Sequence, residues 1–121
     1  MKILMLAVIS IIFSVAAQFA LKAGMSSDAV RLANSQAYSL KAYVSILLNP
    51  YILGGFLLYG SGALVWLGVL AKWDVSKAYP LVGLGFVFTV LIGFVAGENV
   101  SLPRIFGVVC ICVGVWFVAR S

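Results

Sequence analysis

Ser14, Gln18 and Lys22 stand at i, i+4 and i+8 in a stretch that is otherwise almost wholly apolar. On an α-helix that spacing draws a polar line along one face and ends it in a cation. An uncharged hydrogen-bonding track of this kind fits the passage of a sugar headgroup, and the Lys22 ammonium would meet a phosphate as a point charge. The same residues have a plainer use, because Ser and Gln join transmembrane helices by hydrogen bonds and a terminal lysine snorkels to water. Tyr59 and Trp66, seven apart, and Tyr79 further on offer aromatic faces that could stack on a sugar or an isoprenoid chain, or simply pack against lipid and neighbouring helices. Glu98, just after an apolar run, reads from its position as a turn or cap residue.

Few other side chains could do chemistry. The chain has no His and three acids, Asp28, Asp74 and Glu98, so it lacks the parts for a His-based metal site, a nucleophile–base pair or a close carboxylate dyad. No catalytic residue, metal or cofactor is expected, and the chain is not read as an enzyme. Cys110 and Cys112 point to different sides of a helix and cannot pair with each other there; they read as small packing residues.

The elements that must carry these residues are membrane spans. Of the 121 residues 64% are hydrophobic and 9% charged, with a mean hydropathy of +1.20, which a soluble fold could not hide. The net charge of +5 comes from Lys and Arg set singly at the ends of apolar runs, without the basic stripe of a nucleic-acid binder. Four spans are expected, at about 3–21, 51–71, 78–97 and 103–119, forming a single four-helix transmembrane domain over 1–121. The first resembles a secretory leader at Ser14-Val15-Ala16, but its apolar run continues past that triplet, which predicts a retained span.

Between the first two spans, Leu40, Tyr43, Val44, Leu47 and Leu48 recur at helical spacing and predict an interfacial amphipathic helix over about 37–48. A tilted early part of the second span would give the same pattern, but Asn49-Pro50 is a good helix start. Lys72, Trp73, Asp74 and Lys77 mark a water interface between the second and third spans. Pro80 lies in the first turn of the third span, and its glycines at 83, 85, 93 and 97 permit bending or close contact. On the fourth, Gly107 and Gly114 lie near one face, which suits a helix–helix interface either within the subunit or between subunits.

Four spans put Lys2, Lys72, Lys77 and Arg120 on one side and Lys22, Arg31, Lys41 and Arg104 on the other. The balance is even, so the positive-inside rule gives almost no orientation, as in a chain that inserts both ways or pairs with an inverted homologue.

Ala78-Tyr79-Pro80, Gly97-Glu98 and the run from Gly107 through Cys110 and Cys112 to Gly114-Val115 resemble the small multidrug resistance fold of the drug/metabolite transporter superfamily. The resemblance covers the chain apart from the longer segment between Lys22 and Asn49. It implies an all-α four-helix dimer with Gly107, Cys110 and Gly114 at the dimer interface, either a homodimer or a heterodimer with an inverted homologue. The drug exporters of that fold carry a glutamate on the first helix where Ser14 stands here, and no carboxylate occurs inside any expected span. Ser14-Val15-Ala16-Ala17-Gln18 with Lys22, Ala78-Tyr79-Pro80 with Phe86-Val87, and Glu98 with Val100-Ser101 are more similar to the subunits that flip aminoarabinose-phosphoundecaprenol. That likeness implies a flippase-type transporter subunit for a polyprenyl-phosphate-linked sugar or another amphipathic lipid in a bacterial inner membrane, with Ser14, Gln18, Lys22, Tyr59, Trp66, Tyr79 and Glu98 as candidate substrate-binding residues. A small-molecule exporter and a non-transporting accessory membrane protein are the rival expectations.

Overall fold

The computed structural model describes residues 2–35 and 40–121, and among these every regular element is a helix. In chain order they are α1 (Lys2–Met25), α2 (Asp28–Ser35), α3 (Leu40–Leu47), α4 (Pro50–Leu70), α5 (Val75–Ala78), a 3₁₀ helix (Tyr79–Leu84), α6 (Gly85–Val95) and α7 (Leu102–Arg120). Four stretches, Lys2–Met25, Pro50–Leu70, Val75–Val95 and Leu102–Arg120, are long and apolar enough to cross a membrane.

The helix ends have local causes. α4 starts where the Asn49 side chain accepts a hydrogen bond from the Tyr51 amide, with Pro50 supplying the preset φ of a first turn. α7 starts the same way, with the Ser101 hydroxyl accepting from the Arg104 amide. α6 stops at Gly97, whose φ of 88° favours glycine. The Gly97 amide then bonds to the Phe94 carbonyl and the Glu98 amide to the Gly93 carbonyl, the Schellman arrangement that satisfies the helix's last carbonyls. α1 runs past Lys22 to Met25, since a lysine is a good helix former and the end of the apolar run does not itself stop a helix.

α1 and α4 pack antiparallel and make the most extensive contact in the molecule. Three glycines let them approach: a Cβ on Gly24 would meet Ile52, one on Gly55 would meet Leu21, and one on Gly62 would meet Phe13 and the Ser10 carbonyl. Ala7, Ile11 and Val15 of α1, Val69 of α4, Ala78, Leu81 of the 3₁₀ helix and Val115 of α7 form the main buried cluster. At the end of α4, Lys77 stacks over the Trp73 ring at 5.0 Å, and at the end of α7 Arg120 stacks over Trp116 at 4.6 Å. Each pair puts an amphipathic ring beside a cation, as suits a membrane–water boundary.

The third span is not one regular helix. Within it the 3₁₀ helix faces two neighbours at once: a Cβ on Gly83 would press on Ile111 of α7, and one on Gly85, the first residue of α6, would press on Ile11 and Val15 of α1. The tighter winding of a 3₁₀ turn aims these two glycines at different partners. Between the first two spans the described residues include two helical segments, α2 and α3. Ala37, Tyr38 and Ser39, the start of the expected interfacial helix, lie outside the described residues.

Candidate functional site: a mid-span groove

Midway along the paired spans, α1, α4 and the third span enclose a groove of about 590 Å³. Its polar wall comes from α1, where Ser10, Ser14 and Gln18 fall on one face, and its aromatic wall from Tyr59, Trp66, Tyr79 and Phe86. Among the described residues that line it none is an acid, a lysine or an arginine.

The serine and threonine hydroxyl hydrogens of the groove are spent inside the protein. Ser10 Oγ donates to the Gly62 carbonyl at 2.7 Å, Ser14 Oγ to the Ser10 carbonyl at 3.0 Å, and Thr89 Oγ1 to the Gly85 carbonyl at 2.8 Å. Each oxygen keeps its acceptor capacity. Gln18 Nε2 donates to Tyr59 Oη at 2.7 Å. In that amide orientation Gln18 Oε1 remains an acceptor, and the Tyr59 hydroxyl, having accepted, is left to donate. The pair therefore shows an acceptor and a donor side by side, and both residues are exposed at the rim. Such a surface can exchange hydrogen bonds with hydroxyl or amino groups of a ligand, and it offers a phosphate no compensating charge.

Of the candidates from the sequence, Ser14, Gln18, Tyr59, Trp66 and Tyr79 all line this one groove. Lys22 and Glu98 do not. Lys22 is exposed one turn beyond Gln18, near the end of α1. Glu98 follows the Schellman turn and folds back so that its carboxylate lies over Gly93, where any Cβ would sit 2.6 Å from Oε2. Sequence reasoning missed Ser10 and Thr89. Ser10 had a legible signal, since it continues the i, i+4 line of Ser14 and Gln18 by one turn. Thr89 had none, because its place depends on how the third span is wound. On α7, Gly107, Cys110 and Gly114 are all exposed, and the space off both glycines is open within this chain.

No protein-family model matches the chain, and no solved structure does. Curated proteins do match. The chain is 44% identical over 63 residues to the protein of Pseudomonas syringae pv. syringae named as the 4-amino-4-deoxy-L-arabinose-phosphoundecaprenol flippase subunit ArnE, a match covering 51% of this chain and 58% of that protein. It is 37% identical over 71 residues to an ArnF subunit of Photorhabdus laumondii, covering 56% and 54%. With the ArnF subunit of Proteus mirabilis the likeness is 28% over 119 residues, covering 95% of this chain and 90% of the relative. The chain thus spans somewhat more than half the length of the ArnE relatives it matches and nearly all of one ArnF relative. With four apolar helices and these bacterial relatives, the chain is a multi-pass protein of the bacterial inner membrane, homologous to the ArnE and ArnF flippase subunits.

Proposed function

We propose that the chain is one subunit of a flippase that carries a polyprenyl-phosphate-linked sugar across the inner membrane, with the mid-span groove as the sugar's path. The observation that carries this reading is the groove itself. At a depth where polar groups are costly, it presents uncharged hydrogen-bonding atoms and aromatic faces. The names of the relatives agree with it. The isoprenoid tail stays in lipid while the headgroup crosses along Gln18, Ser14 and Ser10, and Lys22 meets the phosphate at the end of the track. Tyr59, Trp66 and Tyr79 stack on the sugar. Glu98 serves the turn that ends α6, and the chain acts as a transporter, not an enzyme.

A second subunit, either another copy or an inverted homologue, completes the path. It docks on the open face of α7 through Gly107, Cys110 and Gly114, where small residues leave room for a close helix crossing. The exporter reading finds no carboxylate among the residues lining the groove.

The test is transbilayer movement of a polyprenyl-phosphate aminosugar in proteoliposomes holding the chain, alone and with a homologous subunit. Gln18→Leu removes the mid-membrane hydrogen-bonding pair, and the rate should fall roughly tenfold, about 1.4 kcal/mol at the crossing barrier. Wild-type vesicles no faster than protein-free ones, in both subunit combinations, would refute the reading.

A further inference from the structure

α3 turns its apolar face away from the rest of the chain. Leu40, Val44, Leu47 and, one residue beyond the helix, Leu48 follow one another at i, i+4, i+7 and i+8. All are exposed, Leu40 by 81% and Leu48 by 65%. The half-buried residues of the helix are Ala42 and Ile46, on the opposite side. For a helix covering a water-soluble core this arrangement is inside out.

Two features of the fold fix what lies against the stripe. α1 and α4, with 24 and 21 residues, are roughly 36 and 31 Å long, enough for each to cross a hydrocarbon core of ~30 Å. The end of α1 at Met25 and the start of α4 at Pro50 therefore mark one face of the bilayer. Only Leu48 and Asn49 separate α3 from α4, and at ~3.5 Å per residue the end of α3 is held within about 10 Å of that face. The Asn49 side chain tightens the tether. While its oxygen caps α4, its Nδ2 donates to Ser27 Oγ at 3.3 Å, and that hydroxyl accepts from the Val30 amide at the start of α2. The second feature is charge. Lys41 and Ser45 lie about 100° and 140° round the helix from Leu40, on the edge of the stripe next to Leu48, and are exposed, and Arg31 of α2 is exposed as well. Ammonium and guanidinium groups beside an apolar stripe complement a layer of lipid phosphates above acyl chains.

We propose that α3 is a lipid-binding helix lying in the bilayer surface, with Leu40, Val44, Leu47 and Leu48 set into the boundary between headgroups and acyl chains and the Lys41 ammonium among the phosphates. The assignment depends on the spans alone and holds whatever the groove carries.

The test uses the full chain in vesicles of phosphatidylethanolamine and phosphatidylglycerol, with Cys110 and Cys112 replaced by Ala and a spin label placed in turn at positions 40, 41, 44, 45, 47 and 48. The ratio of collisions with oxygen to collisions with a water-soluble nickel chelate should be several-fold higher at 40, 44 and 47 than at 41 and 45, with 48, which lies between Leu40 and Lys41 round the helix, intermediate. Uniformly high nickel access would show a helix in water, and low access to both reagents at 40, 44 and 47 would show a protein neighbour; either result overturns the proposal. The unaltered chain gives a second readout independent of labelling. A phospholipid with a diazirine high on its acyl chain should mark residues 40–48 on illumination, and an unmarked segment in otherwise labelled protein counts against the helix lying in lipid.

Discussion

Gln18 and Lys22 are one turn apart on the same helix face, yet the structure gives them different surroundings. Gln18 is bonded to Tyr59 at the groove, while Lys22 stands outside the lining. Their defects should differ in kind. Lys22→Glu puts an anion beside an arriving phosphate and should raise the substrate concentration needed for half-maximal flipping, leaving the saturated rate largely intact. Lys22→Arg keeps the charge and should stay close to wild type. Dose–response curves on equal amounts of folded variant make the comparison, and normal curves for both Lys22→Glu and Gln18→Leu would leave the track without support. The line from Ser14 to Lys22 was legible because helical spacing needs only the sequence. The Gln18–Tyr59 bond was not, because it depends on the register of α1 against α4, which Gly24, Gly55 and Gly62 set through close approach.

The same contrast separates helix ends from helix winding. Asn49-Pro50 was readable as a start because a cap is a contact between neighbours in sequence. The 3₁₀ helix over Tyr79–Leu84 was hidden, since it answers to α1 on one side and α7 on the other. At this scale Gly97 permits a sharp prediction. Its φ of 88° lies where a Cβ is strained, so Gly97→Ala should cost about 1 kcal/mol, and Gly97→Asn less, because asparagine tolerates that region better. Unfolding in mixed micelles would rank the variants, with equal stability of Ala and wild type contradicting the turn's importance. Gly93 has a different constraint, the Glu98 carboxylate lying across it.

For the whole molecule, the open face of α7 and the groove without a carboxylate each yield an expectation. Gly114→Leu should lower the cross-linked dimer fraction in membranes by filling a close crossing; an unchanged fraction would move the interface elsewhere. Cationic dyes should not leave vesicles in exchange for protons, since the residues lining the groove include no acid to hold either in turn. A dye flux that follows an imposed pH gradient would disprove that.

α7 touches its own chain mainly along the 3₁₀ helix, and among its described residues only Val115 is buried. Synthesis runs from the N-terminus, so α1 and α4 can lock through their glycines before α7 leaves the ribosome. α7 then arrives at a pair of spans already packed, with most of its own surface still uncommitted. On the proposal that α7 carries the subunit contact, a nascent chain at that moment can pair with whichever homologous neighbour is being inserted beside it, so the choice of partner is open to timing as well as to affinity.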